Sequence, residues 1–77
     1  MSSAVRRVAA HEVVVGGETL RQCAVEIVGD RVVDYYVFTG ELPMTEWLGG
    51  TIRIERAADG SLKAFRNGDA LTSAPPR

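Results

Sequence analysis

The chain has only one cysteine, Cys23, among its 77 residues, so no disulfide can form within it. Histidine is as scarce: His11 stands alone, and one Cys with one His cannot supply the four ligands of a structural zinc site. No apolar run approaches the ~18 to 20 residues that span a bilayer, so no membrane association is expected. Arg6 and Arg7 ahead of apolar residues look like the start of a secretory signal, but His11 and Glu12 interrupt that run. The expectation is a cytoplasmic protein. Neither Gly16-Gly17 nor Gly49-Gly50 is followed by the Lys and Ser or Thr of a phosphate-cradling loop, which removes support for nucleotide hydrolysis. No segment has a helical apolar period, and no internal repeat is visible.

What remains is ordinary in composition: 45% hydrophobic, 25% charged and a net charge of −1 place the chain among folded globular domains. It has room for one core. Below ~70 to 80 residues such a core rarely supplies more than ~3 to 5 kcal/mol, so a further source of stability is needed. With disulfide and zinc excluded, oligomerisation is left, and a homodimer is expected.

Turn residues divide the sequence into about five β-like runs: Arg7 to Val15, Thr19 to Val28, Arg31 to Phe38, Thr51 to Arg56 and Leu62 to Arg66. Gly-Gly, Gly-Asp and Asp-Gly steps tolerate the positive φ of tight hairpins. The fold class expected is therefore all-β, with antiparallel strands in a meander plus a hairpin, forming a small open barrel or half-sandwich. Residues 7–71 make the single domain, 1–6 a flexible N-terminus and 72–77 a disordered tail.

A two-residue Gly29-Asp30 loop sets Ile27 opposite Val32, Val25 opposite Asp34 and Cys23 opposite Tyr36 on the richer apolar face. The third run is apolar on both faces except at Asp34, so both are expected to be covered at least in part, the second by the long loop or another chain. In the last hairpin a three-residue loop with Gly60 left-handed sets Ile54 opposite Ala64 and Glu55 opposite Lys63; a two-residue Asp-Gly loop would instead pair Ile54 with Phe65.

The connection Thr39 to Gly50 is long for so small a domain and carries the only Trp. Pro43 can open a helical turn and Gly49 can end it, so Met44 to Leu48 is expected to form a short one. Leu42, Met44, Trp47 and Leu48 then act either as a lid over the sheet or as an exposed anchor for a partner.

Catalytic groups are few. A two-residue Gly16-Gly17 loop would pair His11 with Gln22 and leave Cys23 on the opposite face, whereas a three-residue loop would set His11 across from Cys23. Glu41 and Glu46 share the long loop but read as solvated acids. Neither enzymatic activity nor a cofactor is expected. Charge is polarised: His11 to Glu46 carries a balance of −5, and Thr51 to Arg66 a balance of +2. Arg53, Arg56, Lys63 and Arg66 are thus candidate phosphate contacts, yet only Phe65 offers a stacking ring, so nucleic acid is an unlikely partner.

Glu12 to Val33, reading EVVVGGET and then AVEIVGDRVV, resembles the small β domain that opens many amidohydrolases. The metal-binding His-x-His strand of those enzymes is absent, so the resemblance implies a β fold and carries over no catalytic residue. Glu41 to Ile52 is similar to a segment of short bacterial all-β proteins of unknown function, which implies a stand-alone small β domain. The leading expectation is a non-catalytic interaction module that self-associates through Val33, Tyr35, Val37, Met44, Trp47 and Leu48. The alternatives are a weak nucleic-acid binder using the 51–66 hairpin and an accessory β piece of a larger enzyme.

Overall fold

The computed structural model describes residues 5–73, and these form one mixed β-sheet with no helix. Its strands are β1 (Val5–Val15), β2 (Glu18–Val28), β3 (Arg31–Val37), β4 (Glu46–Trp47), β5 (Thr51–Arg56), β6 (Leu62–Arg66) and β7 (Asp69–Ala70). They lie in the order β3-β2-β1-β5-β6-β7, with β4 also on β1. The all-β reading holds, and all five expected runs are strands.

Two features correct the detail and a third fills it in. No helical turn occupies Met44 to Leu48; Met44 takes a φ of 57°, and Glu46–Trp47 extends along Val8 and Ala9 instead. The sheet is not antiparallel throughout, because β4 and β5 both run parallel to β1. Parallel neighbours need a long crossover, which explains the length of the Thr39 to Gly50 connection. It carries the chain from the far edge of the sheet back to the open side of β1. The third feature is the position of β3, which is an edge strand; Val32 is buried and Tyr35 and Tyr36 are half-buried on opposite faces, so both faces are covered in part, as expected.

The sheet curls until β3 and β6 approach each other, but it does not close into a barrel. Lys63 Nζ meets Asp30 Oδ2 at 2.7 Å across that seam. Inside the curl lie Val8, Val13, Cys23, Val25, Ile27 and Ile52, all fully buried. Each buried Val or Ile contributes about 1.5 to 3 kcal/mol relative to exposure.

The two hairpins worked out from sequence fare differently. In β5–β6, Ile54 faces Ala64 and Glu55 faces Lys63, and Gly60 is left-handed with φ 89°, as the three-residue loop requires. In β2–β3, Val28 faces Arg31 and Ile27 faces Val32, after which Val33 bulges out and the register shifts, so that Glu26 faces Asp34, Val25 faces Tyr35 and Cys23 faces Val37. The unshifted register would set Asp34 beside Val25 on the core face. Burying a carboxylate without a partner is expensive, and the bulge turns Asp34 outward while bringing Tyr35 in.

At the ends of the expected domain the structure extends further. Val5 and Arg6 already belong to β1. Thr72 O accepts a bond from Arg6 Nη1 at 2.9 Å, and Ser73 exchanges two bonds with the Gly29 backbone. The remainder of each expected tail, 1–4 and 74–77, lies outside the described residues.

Candidate functional site

Among the described residues, four of the five exposed large apolar side chains lie on β3 and the loop that follows it, and the fifth is Val5 at the start of β1. Val33 and Val37 are each 56% exposed, Met44 is 91% and Trp47 49%. Tyr35 and Leu48 are half-buried and pack against the core. The loop is therefore divided in function: Leu48 closes the core, anchored by its N–H to Ala9 O at 2.8 Å, while Met44 and one face of Trp47 stay in solvent. The Trp47 ring centroid lies 5.1 Å from that of His11 and 5.9 Å from that of Phe38. Phe38 follows β3 directly, so the C-terminal end of that strand lies beside the Trp47 ring.

A polar network borders these side chains on the outer face. Glu26 Oε2 accepts bonds from Arg7 Nε at 3.1 Å and from the Tyr36 hydroxyl at 2.6 Å, and Arg7 Nη1 also donates to Pro43 O. The bond to Glu26 holds the Tyr36 phenol above its usual pKa, since ionisation would remove the donor beside a carboxylate. Beneath the loop, Ala9 and Ala24 are fully buried, and their small side chains let it lie close. Sequence reasoning did not place His11 or Phe38 beside Trp47, and it missed this network. The available signal was the alanine pair itself, since small residues in a strand leave room for a covering segment.

Catalytic combinations do not assemble. The two-residue Gly16-Gly17 loop is the one formed, with Val15 opposite Glu18, and Cys23 lies opposite Ala10. Cys23 is fully buried, and burial pushes its thiol up. His11 is exposed on the other face, against Trp47. Glu46 binds Arg6 at 2.7 Å, which lowers its carboxyl pKa, and Glu41 is exposed. Among the described residues, no three His, Cys, Asp or Glu side chains cluster as metal ligands would. Among the described residues no helix is long and apolar enough to cross a membrane.

The four bases of the β5–β6 hairpin are divided between two faces. Arg53 and Lys63 alternate outward with Phe65, whereas Arg56 and Arg66 lie at the margins of the inward face. Most are engaged within the chain: Lys63 with Asp30, Arg56 with Gly60 O at 2.9 Å and Arg66 with Gly49 O. Arg53, 3.9 Å from Glu55, lines an open depression of about 440 Å³ together with Phe65 and Asn67.

No family model matches the chain, and no curated protein does. Among solved structures it is similar to N-acetyl-D-glucosamine-6-phosphate deacetylase from Mycobacterium smegmatis, a substitution mutant holding N-acetyl-D-glucosamine-6-phosphate. The identity is 30% and the TM-score 0.53 over 64% of this chain. The likeness spans only 13% of the deacetylase chain. It agrees with the resemblance carried by Glu12 to Val33, and the chain is thus partly similar to an amidohydrolase, over a minor share of that enzyme's length.

Proposed function

We propose that the protein is a non-catalytic β interaction module that self-associates. The observation that carries this reading is the set of exposed large apolar side chains on an edge strand and the loop after it, Val33, Val37, Met44 and Trp47, with Phe38 beside the Trp47 ring. Exposed apolar side chains gathered at one place are the mark of an interaction site, whereas scattered ones are ordinary. An aromatic anchor at its centre adds to that. The experiment is light scattering after size exclusion at micromolar concentration. The expected mass is about twice the 8.3 kDa of one chain; a monomer across the whole concentration range would overturn the reading.

A second reading is favoured by the likeness to 13% of a deacetylase. Here the chain is an accessory β piece that packs against the body of a larger enzyme, with the same apolar side chains as the contact. The two separate cleanly: an accessory piece alone stays monomeric and binds a hydrophobic dye at the uncovered surface, whereas a dimer excludes the dye as concentration rises.

A further inference from the structure

We infer that the outer face of the β5–β6 hairpin holds an uncharged pyranose sugar, with the Phe65 ring as its platform and Thr51, Arg53, Glu55 and Asn67 as its hydrogen-bonding rim. The site shares no residue with the apolar set through which self-association is proposed, so either reading can fail without the other.

The register of the hairpin builds the site. Ile52 and Ile54 are buried in the core, so Thr51, Arg53 and Glu55 point outward along β5. Across the ladder Arg53 faces Phe65 and Glu55 faces Lys63, while Thr51 lies level with Asn67, one step past the Ile52–Arg66 rung. On its other side Phe65 has only Ala70, in the two-residue β7, and the turn residue Gly68 carries no side chain. These small neighbours leave the half-buried ring uncrowded, and the result is the open depression of about 440 Å³. Small-molecule sites span ~300 to 1,000 Å³.

The rim has bonding capacity to spare. Among the described residues, Arg53 is the one base of the hairpin that makes no hydrogen bond, since Arg56, Lys63 and Arg66 each donate to a partner. Its Nη1 stands 3.9 Å from Glu55 Oε2, too far for a direct bond, and both side chains are exposed. A hydroxyl placed beside that gap accepts from the guanidinium and donates to the carboxylate at once; an acceptor-only phosphate cannot do both. Thr51 Oγ1 donates to Glu12 Oε1 at 3.3 Å and keeps its lone pairs to accept. The Asn67 amide adds donors and an acceptor.

Charge then decides the class of ligand. Arg53 is offset by Glu55, and Lys63 is tied to Asp30, so the depression has no surplus of positive charge for an anion. A pyranose brings an apolar C–H face for the Phe65 ring and a rim of hydroxyls that both donate and accept, which suits a lining of mixed sign. A nucleobase also has a flat face, but its edge carries a fixed pattern of donors and acceptors, and its phosphate would meet Glu55. One ring in an open depression leaves little surplus over the cost of association, so affinity belongs in the millimolar range.

The test is a titration of the full chain followed by amide nitrogen–proton nuclear magnetic resonance. The probes are methyl β-D-glucopyranoside, methyl β-D-galactopyranoside and methyl α-D-mannopyranoside, with inorganic phosphate and adenosine monophosphate as contrasts. At least one pyranoside should shift the amide signals of Arg53, Phe65, Asn67 and Gly68 saturably. Phe65→Leu keeps an apolar side chain on the sheet but removes the flat ring, and should abolish the saturable shifts while circular dichroism stays unchanged. Arg53→Ala, at an exposed position, should weaken binding about tenfold, as loss of a charged hydrogen-bond partner dictates. Glu41→Gln, on the exposed crossover, should leave it unaltered. The inference is overturned if none of the three pyranosides gives saturable shifts, if phosphate or adenosine monophosphate shifts these signals and no pyranoside does, or if sugar binding survives intact in a folded Phe65→Leu variant.

Discussion

Cys23 sits opposite Ala10 with none of its surface exposed, and burial holds its thiol above the ordinary cysteine pKa. The reactive species is the thiolate, so both accessibility and protonation oppose attack. A thiol reagent at neutral pH should label native protein slowly and denatured protein at the rate of a free cysteine. Fast labelling of the folded chain would contradict the packing role. This role was legible in the sequence, since Cys23 alternates with Val25 and Ile27. The fate of its neighbour was not: Tyr36 was expected beside it, and the Val33 bulge moved Val37 there instead. A bulge of one residue leaves no mark in composition or spacing, because its driving force is the removal of Asp34 from the core face.

Between residues 10 and 13 of β1 the inward positions change parity, from Val8 and Ala10 to Val13 and Val15, and β2 changes with it, from Ile27, Val25 and Cys23 to Leu20. The register of the pair is constant throughout. The change occurs where Gln22 adopts a φ of 52°, opposite His11. A left-handed residue other than glycine costs about 1 to 2 kcal/mol, while glycine in a strand loses about 0.5 to 1 kcal/mol through its greater freedom when unfolded. Gln22→Gly should therefore raise the urea midpoint modestly at unchanged slope. A clear loss of stability would mean that the Gln22 side chain supports the kink. No sequence pattern announced this kink. The β6–β7 turn was legible and overlooked, since Asn67 and Gly68 are both left-handed and Asn-Gly between strands is the strongest short hairpin signal. Strand positions and the β5–β6 register followed from turn chemistry alone. The parallel pairing did not, because local turns say nothing about which distant strand a crossover will meet.

For the molecule as a whole, the ionisable groups define a stability window. Lys63 lowers the Asp30 carboxyl and Arg6 lowers that of Glu46, through hydrogen bonds and charge. A depressed acid contributes stability that is present above its unfolded pKa and lost as pH falls through the folded one. Cys23 and Tyr36 are raised, by burial and by the bond to Glu26 respectively, so their contribution is present below their unfolded pKa values and lost as pH rises through the folded ones. Urea midpoints should be flat between about pH 5 and 8, then fall towards pH 3 and again towards pH 10. Asp30→Asn should flatten the acid limb, because the Lys63 seam would no longer titrate; an unaltered acid limb would exclude that pair. The parallel alignment of β1 with β5 also bears on how the chain acquires its shape. Glu12 and Thr51 lie 39 residues apart, whereas β1, β2 and β3 are joined by two-residue turns. During synthesis the first three strands emerge early, and the side of β1 that will receive β4 and β5 stays bare until Glu46 to Arg56 has left the ribosome. Distant pairings of this kind are slow to form for their size. The crossover, rather than any hairpin, therefore sets the pace of maturation, and the interval before it closes is when a nascent chain most needs a chaperone.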